Sequence, residues 1–460
     1  DEDSGVRILS STEGTGLDLV WLDETAVCNG GMVSQVVEMP AREVAEPFVF
    51  EMRHRSEDVF GIDVYANRSV RTVASAGPRF VTQRFCLGEA AYGGPVELRI
   101  GASERDSKCA SETRGLIEID RFSILRAEVG ECPEPGSALN GEAILEEGGW
   151  WLDDVGVNPI NGIATVGLEP GVGRDATDGA RMYQDGGGNL VSMGTQLSVP
   201  LPSSESFGPG FRFWWKGEGM EVFPAFGTPR DNFAVNPLEI LTGDGEEHIN
   251  IYCLPPWTYG SVVELWFIPL GAVSAGEFVV DDVQVVSADP NCPVSNDILD
   301  PNFDSAPNRW PGYIYGGTNV EVPVEIRDAA PSGSPSGGGA IALSYASSSA
   351  NIQFHNWVWV PEAEEGLFPV LSFYSRLPAN PVVQVAGLVS RNSSFTPADY
   401  LAAGVDWQRN EYCLPSGWSG RWLRFRVEVR PGPLPVQTFD PPNVVWLDDF
   451  RTTTSAGCLE

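Results

Sequence analysis

The stretch Tyr412-Cys413-Leu414-Pro415, followed by Trp418 and by the alternating run Trp422-Leu423-Arg424-Phe425-Arg426-Val427-Glu428-Val429, decides the fold. After a loop come Leu447-Asp448-Asp449-Phe450 and Cys458. The same order runs upstream through Tyr252-Cys253-Leu254-Pro255, Trp257, the apolar run from Val262 to Ile268, Val280-Asp281-Asp282-Val283 and Cys292. A weaker copy reads Phe85-Cys86-Leu87-Gly88, then Val96-Glu97-Leu98-Arg99-Ile100, Ile119-Asp120-Arg121-Phe122 and Cys132. Three copies of one pattern mean tandem domains. Their expected bounds are 1–133, 134–293 and 294–460, with breaker-rich joints at Pro133-Glu134-Pro135-Gly136-Ser137 and from Pro290 to Pro293. A length of 460 residues agrees with about three domains of roughly 150 residues each.

The first copy is short. The later copies have 121 positions (253 − 132 and 413 − 292) between one closing cysteine and the next Cys-Leu cysteine, whereas only 85 residues precede Cys86. About one or two opening strands are therefore expected to be missing from the first domain or differently supplied.

Hydrophobic residues make up 42% of the chain, enough for a globular core in each domain. The 51 Gly and 36 Pro predict frequent turns, and no stretch of a dozen residues carries a 3.6-residue period. Phe48-Val49-Phe50-Glu51-Met52-Arg53 alternates toward its end as a half-buried strand does. The expected fold is all-β, a β-sandwich in each domain.

The charge balance is 63 acidic residues against 29 basic, a net −34. Nucleic acid is excluded as a partner, since phosphate neutralisation needs clustered Lys and Arg. An anionic membrane surface is disfavoured for the same reason. Neutral glycans, cations and basic proteins fit. Salty or calcium-containing surroundings would screen the self-repulsion of so acidic a chain. No apolar run is long enough to span a membrane, because the one near Val262 to Val273 is broken by Glu264 and Pro269. A start at Asp1 with no apolar leader is expected for a processed, secreted chain.

The eight cysteines are spaced regularly. One rule pairs each Cys-Leu cysteine with its domain-closing cysteine: Cys86 with Cys132, Cys253 with Cys292, and Cys413 with Cys458. Cys28 and Cys109 then remain to pair inside the first domain. A competing rule joins Cys132 to Cys253 and Cys292 to Cys413, but strands four cysteines without a repeat logic. Loops of the first kind would each stabilise a domain by about 4 kcal/mol. Either rule places the chain outside the reducing cytoplasm, extracellular or at a cell surface.

The motifs that open and close the second and third domains resemble a known family. They are Leu145-Glu146 to Trp150 with Val280-Asp281-Asp282-Val283, and Phe303-Asp304 to Trp310 with Leu447-Asp448-Asp449-Phe450. This pattern is similar to the carbohydrate-binding-module and galactose-binding-like jelly rolls of secreted bacterial proteins. In the first domain only the back half matches, and Arg121 stands where a second Asp is expected. The resemblance implies a structural calcium held by Glu146 with Asp281 or Asp282, and by Asp304 with Asp448 or Asp449. Hard cations bind six to eight oxygens, which such carboxylates and loop carbonyls supply.

No H-E-x-x-H, G-x-S-x-G or P-loop pattern is present, and His54, His248 and His355 fall at unmatched repeat positions. The chain is therefore expected not to be an enzyme. Its aromatics are the stronger signal. Phe211, Phe213 and Trp215 should share one sheet face, with Arg212 and Trp214 on the other. Tyr183, Trp214, Trp257, Trp359, Tyr374 and Trp418 are the candidate sugar contacts. Two functions follow: a secreted glycan-binding protein, or an adhesin or filament subunit. In the second, a neighbouring copy would fill the edge left by the shortened first domain.

Overall fold

The computed structural model describes residues 6–10, 18–22, 32–39, 47–57, 61–67, 69–74, 77–102, 116–155, 164–185, 190–202, 207–226, 236–237, 241–254, 256–269, 275–290, 292, 294–295, 298–299, 324–327, 335–337, 339–347, 352–362, 364, 366–377, 384–390, 396–401, 404–414, 421–430 and 438–458. The chain forms two compact units. One comprises residues 1–203, 209–254 and 258–289, the other residues 204–208, 255–257 and 290–460.

The first repeat supplies β1 (Val6–Ser10), β2 (Asp18–Leu22), β3 (Met32–Glu38), β4 (Phe48–Glu57), β5 (Gly61–Ala66), β6 (Ser69–Ala74), β7 (Gly77–Cys86), β8 (Pro95–Ala102) and β9 (Leu116–Arg126). They make a five-stranded sheet, β1-β2-β9-β4-β7, and a four-stranded sheet, β3-β8-β5-β6. The second repeat supplies β10 (Trp151–Val155), β11 (Ala164–Glu169), β12 (Gly179–Asp185), β13 (Leu190–Ser198), β14 (Gly210–Phe226), β15 (Asn236–Pro237), β16 (Leu241–Cys253), β17 (Val262–Pro269) and β18 (Ala275–Val286). Here one layer runs β11-β12-β18-β14-β16 and the other β10-β13-β17-β14-β15, so β14 belongs to both. A short pair, β19 (Val294–Ser295) and β20 (Ile298–Leu299), precedes the third repeat. That repeat supplies β21 (Val324–Arg327), β22 (Ala340–Ser347), β23 (Ile352–Val360), β24 (Phe368–Arg376), β25 (Gln384–Ser390), β26 (Thr396–Tyr400), β27 (Gln408–Cys413), β28 (Arg421–Arg430) and β29 (Thr438–Ser455). Its sheets are β21-β22-β29-β24-β27 and β23-β28-β25-β26.

The first and third repeats share one strand order, the second keeps it with β10 added and with β14 running through both layers, and the chain is all-β sandwich. Two expectations change. Cysteine spacing predicts a first repeat with one or two opening strands missing or differently supplied; among the described residues its sheets carry five and four strands, as do those of the third repeat, while the second repeat has β10 in addition. The spacing counts loops as strands: residues 134–150 of the second repeat form turns ahead of β10. From sequence, Gly210 to Trp215 and Glu221 to Ala225 read as two strands, where the structure has the single β14. Lys216-Gly217-Glu218-Gly219 crosses between layers with register shifts and Gly219 at φ 69°, so the chain changes sheet without reversing.

Each repeat is fixed by the same local bonds. The N–H of the Leu after the Cys-Leu cysteine donates to a carbonyl at the start of the neighbouring strand: Leu87 to Phe48 at 2.9 Å, Leu254 to Pro209 at 2.9 Å, and Leu414 to Pro369 at 2.8 Å. Cys86–Cys132 and Cys413–Cys458 are disulfides, each with Cα atoms 5.7 Å apart, which excludes the competing pairing. Cys253 and Cys292 are disulfide-bonded too. Cys28 and Cys109 lie outside the described residues. Three positions before each Cys-Leu cysteine stands an amide that binds a side chain of the neighbouring strand. Gln83 Oε1 lies 2.8 Å from His54 Nε2, Asn250 Oδ1 accepts from Trp215 Nε1 at 3.0 Å, and Asn410 Nδ2 donates to Ser375 Oγ at 2.9 Å.

Gly88 stands where the other copies have proline, and the first unit explains why. Any Cβ there would overlap the carbonyl oxygen of Gly260 in the second repeat. The approach is sealed by Ala90 N–H donating to Gly260 O at 3.0 Å and by Leu201 N–H donating to Glu89 Oε2 at 3.0 Å. Val262 completes it, packing with Val49, Cys86 and Cys132.

Gly88→Ala should therefore destabilise the first unit by about 1–3 kcal/mol, the usual cost of overpacking. Gly167→Ala, with open space around it, should be near neutral; urea denaturation of both reads the difference. His54 gives a pH dependence. It is fully buried, and burial pushes its imidazole below the ordinary 6.5, against the opposing hydrogen bond from Gln83. The unfolded chain then takes up the proton first on acidification. Stability is intact above about pH 6.5 and falls below it, by up to about 1.4 kcal/mol per pH unit until the depressed value is reached. His54→Gln should flatten that part of a stability–pH curve measured by denaturant titration.

Candidate functional site

Alternation places one side of the β11-β12-β18-β14-β16 layer in the core. Ala180, Met182, Phe211, Phe213, Trp215, Phe278 and Val280 are buried there. The opposite side faces outward, and register aligns its residues in rows. Thr165, Tyr183, Glu277 and Glu218 form one row, and Gly167, Arg181, Val279, Lys216 and Glu247 the next.

On this face Tyr183 is 37% exposed. Two positions earlier on the same strand, Arg181 is held between two carboxylates. Its Nη1 donates to Glu169 Oε2 at 2.8 Å and its Nη2 to Glu277 Oε2 at 2.6 Å. The bond to Glu169 raises the Arg181 pKa, opposed next by burial, with the bond to Glu277 adding to the rise. The clamp orients the guanidinium and leaves a net charge of −1 beside the ring. A flat phenol next to fixed donors and acceptors suits a sugar: the ring stacks on C–H groups while hydroxyls bond to Arg and Glu.

The other predicted contacts are placed differently. Trp214 is 3% exposed and offers no ring to solvent, which corrects its reading as a platform. It stands opposite Asp281 at a register shift, and Tyr374, half-buried, stands opposite Asp448 at the matching shift. Trp359 is half-buried on β23, in the other layer of the third repeat. Trp257 lies in the 3-10 turn Pro256–Thr258. Trp418 and Asp304 lie outside the described residues. Of those aromatics whose burial is described, Tyr183 is the one that stands exposed.

Sequence reasoning missed Arg181, Glu169 and Glu277. Period-two alternation from Tyr183 and Asp281 would have found Arg181 and Glu277, but their meeting depends on register. It also missed the Trp151–Trp266 pair, stacked at 6.0 Å on the outer side of the β10-β13-β17 layer. Trp266 is buried and donates to Glu264 at 3.3 Å, so this pair is packing.

Four of the residues assigned to a cation, Asp281, Asp282, Asp448 and Asp449, have protein partners. Asp281 Oδ2 accepts from Arg174 N–H at 2.9 Å and Thr177 Oγ1–H at 2.8 Å, and its Oδ1 accepts from Asp282 N–H at 2.7 Å. Burial raises the Asp281 pKa, partly offset by those bonds. Asp282 pairs with Arg174 Nη1 at 3.0 Å. Asp448 binds Ser336, and Asp449 pairs with Arg451 Nε at 2.6 Å. Glu146 is exposed on a turn. Among the described residues, no group of three or more His, Cys, Asp or Glu is placed to hold a metal.

No protein-family model matches the chain, and no curated protein matches it. Solved structures do overlap it, and carbohydrate-binding modules are among them. One is a family 61 module, TmCBM61, in complex with beta-1,4-galactotriose: 17% identical, covering 35% of this chain and 100% of that one, TM-score 0.26. The tandem CBM22-1-CBM22-2 domain of Xyn10C from Paenibacillus barcinonensis is 13% identical and covers 70% of this chain and 99% of its own, TM-score 0.23. The family 11 module of Lic26A-Cel5E from Clostridium thermocellum is 13% identical and covers 34% and 97%, TM-score 0.23.

Because the Arg181 clamp is partly exposed, its removal should cost little stability. Arg181→Met is expected to stay within about 1 kcal/mol of the parent in urea denaturation, which makes it a usable probe of the face.

Proposed function

We infer that this is an extracellular, non-catalytic protein that binds neutral glycans through the outer face of its second repeat. The observation that carries this reading is Tyr183, exposed beside an Arg181 held by Glu169 and Glu277. The charge of that cluster favours neutral over acidic polymers, since a uronate or sulfate would meet a surplus carboxylate and a chain of net charge −34. Binding is favoured over hydrolysis because both carboxylates are committed to the guanidinium. The disulfides support a location outside the reducing cytoplasm.

Isothermal titration against a panel of neutral and acidic polysaccharides tests the reading. Tyr183→Ala should weaken binding to a neutral polymer about tenfold or more, the loss of some 1.4 kcal/mol. Silence across the neutral panel, or parental affinity in Tyr183→Ala, would overturn it.

A further inference from the structure

In every repeat the closing strand breaks register at an acidic residue. The shifts fall at Arg53/His54 opposite Asp120, at Arg212/Trp214 opposite Asp281, and at Ser372/Tyr374 opposite Asp448. Asp282 and Asp449, the residues after the last two, both adopt positive φ, 53° and 52°. A bulge leaves backbone groups out of the ladder and aims a side chain aside. Something must then satisfy the buried carboxylate.

We propose that hydrogen-bond donors and arginines of the chain itself do this, and that the closing-strand bulges are locked without calcium. A carboxylate offers about four lone-pair sites. In the second repeat three of those on Asp281 already take N–H or O–H donors from Arg174, Thr177 and Asp282. Each donor points a positive hydrogen where a cation would sit. The loop is drawn in tightly, since a Cβ on Gly173 would come within 2.6 Å of Asp281 Oδ2. The neighbouring carboxylate, Asp282, takes the Arg174 guanidinium.

The third repeat solves the problem with other residues. Ser336 N–H donates to Asp448 Oδ2 at 3.1 Å, Ser336 Oγ lies 2.9 Å from both carboxylate oxygens, and Asp449 N–H donates at 2.7 Å. Arg451 sits on Asp449. In the first repeat, where Arg121 replaces the second acid, Arg53 binds Asp120 directly. Three unlike donor sets at one structural position indicate that the constraint is a hydrogen-bond donor for the bulge carboxylate, whichever residue supplies it.

The test is thermal unfolding of the whole chain in EDTA and in millimolar calcium, with calorimetric titration of calcium into the apo protein. The expected result is one midpoint in both buffers and no binding heat. Thr177→Val and Ser336→Ala should each lower a midpoint by about 2–4 °C, as the loss of roughly one hydrogen bond does, and Thr177→Ser should restore it. A midpoint that rises with calcium and falls back with EDTA, or a binding heat that Asp281→Asn removes, would overturn the proposal. None of these readouts involves a glycan, so failure here leaves the binding reading standing, and the reverse.

Discussion

Each sandwich depends on three adjacent strands: the Cys-Leu strand, its central neighbour and the closing strand. They are β7-β4-β9, β16-β14-β18 and β27-β24-β29. A leucine N–H anchors the first to the second, and in the first and third repeats a disulfide joins the Cys-Leu strand to the chain just past the closing strand. Core aromatics fill the inner side of these three strands. Phe50 meets Phe85 at 5.1 Å, Phe213 meets Tyr252 at 5.9 Å, and Phe373 meets Tyr412 at 5.8 Å. With the inner side committed to packing, it is the outer side of the second repeat that carries the exposed Tyr183.

The bulge therefore has a second consequence. It turns an aspartate from the ladder toward the loop 173–177, which the bonds from Arg174 and Thr177 to Asp281 hold against the closing strand. The acid that the strand cannot pair becomes the anchor of the loop. The Gly88–Gly260 approach likewise joins the first two repeats through backbone contact, where a side chain of any size would hold them apart.

Much of this was legible. The recurrent Cys-Leu motif exposed the repeats, and Asp281-Asp282 and Asp448-Asp449 marked the closing strands. The segment that opens the second repeat, from Asn140-Gly141 to Trp150, is held by its own backbone bonds. Asn140 binds the backbone of Ile144, Trp150 donates to Asn140 O at 2.9 Å, and Val283 N–H donates to Gly141 O at 2.8 Å. Reading exposure from alternation failed at Trp214, because alternation tells which side of a sheet a residue takes and not whether that side is covered.

From the amino-acid order alone came the threefold repeat, the all-β class, and the pairing rule that Cys86–Cys132 and Cys413–Cys458 obey. These rest on spacing and short-range periodicity, which are written along one dimension. Tertiary structure decided that Tyr183 is open while Trp214 is not, that Arg181 meets Glu277 from 96 residues away, and that Asp281 finds Thr177 and Arg174 at separations of 104 and 107. Burial and partnership are properties of neighbours in space, and no spacing rule along the chain carries them.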